Sequence, residues 1–137
     1  MSPEFQDRLS ALHDTFDLLD DWELRLQHVI DLGKNLPALA PGDRTDATRV
    51  LGCASKVWLV IDGPADGHLH FRAESDAFIV RGLIAILMEL LNGLPFSDVL
   101  GFDVRATLTA LNLADNLGSQ RTNGLLSMVE RLKRAAI

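Results

Sequence analysis

The chain has 137 residues, 47% of them hydrophobic and 23% charged, with a mean hydropathy of +0.13. A chain this apolar has enough surface to bury for one globular domain over residues 1–137 and is not a disordered segment. Its formal net charge of -6 argues against a nucleic-acid binder that works by neutralising phosphates, and points to solubility and protein partners.

The most apolar stretch, Ala77 to Leu91, is interrupted by Arg81 and Glu89 and falls short of a bilayer span. Glu4 and Asp7 stand where a secretory leader would be basic, so the expectation is a cytoplasmic protein without membrane association. Cys53 is the single cysteine. That excludes an intrachain disulfide and any structural zinc or iron-sulfur site built from several thiolates.

Leu9, Leu12, Phe16 and Leu19 recur at helical spacing after Pro3, predicting a first helix that ends near Leu18. Asp20 with Glu23 three positions on predicts a capped second helix, with Trp22, Leu26, Val29, Ile30 and Gly33 on one face until Pro37. Residues 37–46 are polar and turn-rich, a surface connection. Period-two alternation then places Val57, Leu59 and Ile61 on one face of a strand. A second strand follows with Leu69, Phe71 and Ala73 inward and His68, His70, Arg72 and Glu74 outward. The intervening DGPADG predicts the hairpin turn, and a short strand at 48–50 would complete a three-stranded antiparallel sheet. Cys53 then falls on the loop 52–55.

A buried central helix is expected from Ser75 or Asp76 through AFIVRGLIAILMELL to a C-cap at Gly93. Pro95 to Leu100 and Asp103 to Leu111 read as short helices. The last helix starts with Ser119 as N-cap and turns Leu125, Met128, Val129 and Leu132 inward. Helices, a small antiparallel sheet and further helices make an α+β fold, the sheet packed against helices on one face.

Cys53 has two readings, a small buried hydrophobe or a reactive thiol. Its place on a loop, after Gly52 and before the polar Ser55 and Lys56, favours chemistry. Lys56 or an arginine folded nearby would favour the nucleophilic thiolate. His68 and His70 share a strand face, yet no third ligand is spaced to join them in a metal site. Arg121 and Asn123 read as the polar side of the last helix, and Asp76 as an acidic residue near a helix N-terminus.

In order, RVLGCASKVWLV, ESDAFIVRGLIAILMELLNG, GFDVR and LGSQRTNGLLSMVERLK resemble the SufE family of sulfur-acceptor proteins, over nearly the whole chain. The most specific parts are GCASKVW at 52–58, SDAFIVRGL at 75–83 and SQRTNGL at 119–125. The loop departs from the family's common form in having Ala54 and Lys56 where Gln is frequent.

The resemblance implies a single SufE-like domain in which Cys53 accepts sulfane sulfur from the persulfide of a pyridoxal-phosphate cysteine desulfurase of SufS or CsdA type. It implies stimulation of that enzyme and delivery of the sulfur to a SufBCD-type iron-sulfur scaffold. The chain itself then needs neither a cofactor nor a metal, and is a carrier, monomeric or homodimeric, not an enzyme. Asp76 and Arg121 fall on the motifs around the loop and are implied, with Gly52, Ser55 and Lys56, in loop conformation or partner docking. At rest such a loop is expected to tuck Cys53 toward an apolar cavity, because a permanently exposed thiolate oxidises. The alternatives are an iron-sulfur scaffold, which needs about three ligands where one thiol exists, and an enzyme with its own cysteine nucleophile.

Overall fold

A computed structural model describes residues 1–137, apart from the side chains of Pro64 and Ala65. The elements run α1 (Pro3–Asp17), α2 (Trp22–Lys34), a 3-10 turn (Pro41–Asp43), β1 (Val57–Ala65), β2 (His68–Ser75), α3 (Phe78–Leu91), α4 (Phe96–Leu100), α5 (Val104–Ala110), α6 (Ala114–Leu117) and α7 (Ser119–Ala135). The class is the expected α+β. None of these helices is long and apolar enough to cross a membrane.

The central helix is α3, which touches α1, α2, α7 and β2. Its apolar run buries Leu83, Ile84, Ile86, Leu87, Leu90 and Leu91, and its side toward α2 is made by glycine. A Cβ on Gly82 would stand 1.9 Å from the Val29 carbonyl oxygen, and one on Gly33 would stand 2.7 Å from the Gly82 nitrogen. The two helix backbones therefore meet at a distance that no side chain permits. Arg8 of α1 ties down the other end of α3, donating to the carbonyls of Glu89 and Asn92. These are carbonyls of a helix C-terminus that have no partner within the helix.

β1 and β2 pair antiparallel with Val57 opposite Ser75 and Ile61 opposite Phe71. The predicted six-residue turn is shorter in the structure. β1 runs on to residue 65, and Asp66 (φ 55) and Gly67 (φ 75) alone make the reversal, the two-residue geometry that suits the strand twist. The expected third strand shrinks to one bridge, Arg49 opposite Trp58. It is fenced in by the Thr45–Thr48 turn on one side and the turn at 51–52 on the other, so the sheet has two strands.

Alternation placed Glu74 on the solvent face, yet it is 4% exposed. The segment after α2 folds over it: the Leu39 N–H donates to Oε1 at 3.0 Å, and Arg44 and Arg81 stand 3.4 and 3.6 Å from the carboxylate. Arg81 also donates to the carbonyls of Gly33 and Leu36. One buried carboxylate and one arginine thus anchor the whole connection, so strand periodicity failed here because a loop supplied a second covering layer.

Three helix starts also move. Asp21, not Asp20, caps α2, accepting from the Leu24 N–H. α3 begins at Phe78 behind Ala77 rather than at Ser75 or Asp76, and Ser119 is the first residue of α7, with Gly118 in the cap position. Residue 118 has φ +83, which glycine adopts without strain.

Candidate functional site

The loop 51–56 leaves and rejoins the sheet at neighbouring points, because the Val50 N–H donates to the Val57 carbonyl at 2.8 Å. Its N-terminal root is clamped by α7, where Arg131 donates to the carbonyls of Arg49, at 2.7 Å, and of Ala47. Its C-terminal root is held by Asp76, whose Oδ1 accepts from the Lys56 N–H at 3.0 Å. Between the roots Gly52 has φ +89, and a Cβ there would stand 2.8 Å from Ser127 Oγ. The positive φ is what favours glycine at that position, and Ser127 would have to turn its hydroxyl aside for any larger residue.

Cys53 is half-buried on the wall of a cavity of about 540 Å3. Val80 and Ile84 of α3 and Leu125 and Met128 of α7 form its apolar side, and Ser55, Ser119, Gln120 and Arg121 give it polar groups. The thiol lies 3.6 Å from the Gly124 carbonyl, to which it donates a weak hydrogen bond. Burial pushes the Cys53 thiol above its ordinary pKa, and the positive charge of Arg49 offsets this only in part. The resting thiol is therefore protonated and poorly nucleophilic at neutral pH. Of the cations expected to favour the thiolate, Lys56 or an arginine folded nearby, an arginine, Arg49, is the one that acts on the sulfur, and desolvation outweighs it.

The structure gathers Cys53, Ser55 and Arg121 around one cavity. Gly52 adjoins it as the turn against α7, while Lys56 and Asp76 form the loop's root and are not among its lining residues. Arg121 is exposed and donates to the Leu117 carbonyl at the end of α6, at 3.3 Å. Sequence reasoning missed Arg49, Gly124, Ser127 and Arg131. Only Gly124 left a signal, a glycine inside a helical pattern, which marks a packing requirement. Among the described residues, no three His, Cys, Asp or Glu side chains are placed to hold a metal ion.

Residues 10–136 match the family model described as "SufE: Fe-S metabolism associated domain". The chain belongs to the SufE family. An uncharacterized SufE-like protein of Rhizobium etli is 44% identical over 135 residues, covering 96% of this chain and 91% of its own. One of Rhizobium meliloti is 44% identical over 131 residues, covering 93% and 94%. A solution structure of a hypothetical protein from Thermus thermophilus superimposes with a TM-score of 0.73 at 20% identity, over 98% of this chain and 93% of that one. That likeness concerns the fold alone. Membership of the SufE family places the chain in iron-sulfur metabolism.

Proposed function

We propose that this protein is a sulfur carrier. Cys53 takes persulfide sulfur from a pyridoxal-phosphate cysteine desulfurase, of SufS or CsdA type, stimulates that enzyme, and passes the sulfur to an iron-sulfur scaffold of SufBCD type. The observation that carries the reading is the single thiol of the chain, held on a loop pinned at both roots over a cavity. Gly52, Ser55, Lys56, Asp76 and Arg121 serve the loop and its docking.

The chemistry follows from the thiol. Once the loop turns outward, the half-buried sulfur becomes fully hydrated, its pKa falls toward the ordinary value and the proton leaves to solvent. The Cys53 thiolate then attacks the outer sulfur of the donor persulfide. A new S–S bond forms on Cys53, the donor's S–S bond breaks, and the donor cysteine departs as thiolate. No electrons are gained or lost overall. Within this chain no second thiol can close a disulfide and expel the sulfur as sulfide, which suits a carrier.

Incubation with such a desulfurase and free cysteine, followed by mass spectrometry, should show one added sulfur atom on Cys53. Cys53→Ser should abolish both the adduct and the gain in desulfurase turnover. Equal stimulation by the serine variant, with no adduct on the parent, would overturn the reading.

A further inference from the structure

We propose that Gly124 is the positioning residue that sets the resting depth of the Cys53 thiol. The three atoms nearest to a Cβ built on Gly124 all belong to Cys53: Sγ at 3.3 Å, Cβ at 3.6 Å and Cα at 3.9 Å. At Gly33 and Gly82 the missing side chain makes room for a neighbouring helix backbone. At Gly124 it makes room for the cysteine, and the carbonyl of the same residue accepts the thiol's hydrogen bond.

Gly124 is one of three residues of α7 that receive the loop. Gly124, Ser127 and Arg131 follow one another at i, i+3 and i+7, the spacing that lines one helix face. Arg131 holds the carbonyls of Ala47 and Arg49, Ser127 abuts Gly52, and Gly124 seats Cys53. The grip weakens along that face from two charge-assisted bonds to one weak thiol contact. The root therefore stays fixed while the tip is the part that yields.

The inference deepens the sulfur-carrier reading and rests on it only for its purpose, the shielding of an idle thiol. Its test needs no desulfurase, so a protein that never accepts sulfur would give the same result. In a helix interior Gly→Ala favours the helix, so Gly124→Ala should melt no lower than the parent. Its methyl group must nevertheless displace the sulfur by a few tenths of an ångström, and the larger Gly124→Val should expel it.

The expected result is alkylation of Cys53 by iodoacetamide about fivefold faster in Gly124→Ala, and faster again in Gly124→Val, as the exposed fraction of the loop grows. The titration midpoint of the thiol should fall in the same order, which a merely structural role would not produce. Unchanged alkylation and midpoint in a folded Gly124→Ala would overturn the proposal. So would an alkylation rate that rises only in step with a lowered melting temperature.

Discussion

Asp76 and Lys56 bond to each other twice: the Lys56 N–H donates to Asp76 Oδ1 at 3.0 Å, and the Asp76 N–H donates to the Lys56 carbonyl at 3.2 Å. Val57 pairs with Ser75, so this exchange extends the sheet by one step beyond its last regular pair. The carboxylate that the sequence offered as a helix-end residue is spent on the loop instead. The cap position of α3 falls to Ala77, which has no side-chain bond to give.

Asp76→Ala removes the side-chain half of that exchange and leaves the backbone half. An exposed bond of this kind contributes about 1 kcal/mol, so the loop's open fraction should rise about fivefold with little change in melting temperature. The alkylation rate of Cys53 measures it. A rate equal to the parent's would show that the loop moves independently of its root.

Burial raises the Cys53 pKa in the folded protein above its ordinary 9.0. Alkylation should therefore climb with pH to a midpoint above that value, and urea-unfolded protein should show the lower, ordinary midpoint. The sign for stability follows from proton binding. A raised folded-state pKa means that the folded thiol keeps its proton where the unfolded one has lost it. That contribution to stability is complete below the ordinary thiol pKa and is lost as pH rises through the folded value. Cys53→Ala should flatten this alkaline decline. A midpoint at or below 9.0 in the folded protein would show that Arg49 outweighs desolvation.

Arg121 lies at the cavity and donates to the Leu117 carbonyl. Arg121→Glu should alter folding stability by less than about 1 kcal/mol, as exposed substitutions do. If the residue docks the desulfurase, stimulation at low salt should fall and the difference from the parent should shrink as ionic strength rises. Stimulation indistinguishable from the parent at low salt would leave Arg121 as a solvated helix end.

Gly82→Ala should be the most damaging of the glycine-to-alanine changes, since its Cβ would fall 1.9 Å from the Val29 carbonyl oxygen. The helices α2 and α3 must separate to admit it, at a cost of about 3 kcal/mol or more. Chemical denaturation would show a lower midpoint. The contrast with Gly124→Ala, on α7, separates a glycine required by backbone contact from one required by the thiol.

Much of this protein was legible in its residues. Helical spacing located α1 and α2, the run 77–91 announced a buried central helix, and alternation at 57–61 and 69–73 marked the two strands, because these patterns follow from local geometry. The loop position of Cys53 came from the same source. Its chemistry was suggested by motifs distributed across three segments. What local pattern could not supply was the second layer of contact: the connection that buries Glu74, the arginine on α7 that grips residues 47–49, and the glycine that receives the sulfur.

The protonation state of Cys53 belongs to that second layer. In the sequence, Lys56 or an arginine folded nearby offered a charge that favours the thiolate. In three dimensions the walls of α3 and α7 take part of the sulfur's surface out of water, and that desolvation outweighs the charge of Arg49. Composition and periodicity report which surfaces a chain must bury, since burial repeats with the turn of a helix or the pleat of a strand. The electrostatics of a thiol depend instead on which distant segments meet around it, and only the folded chain decides that.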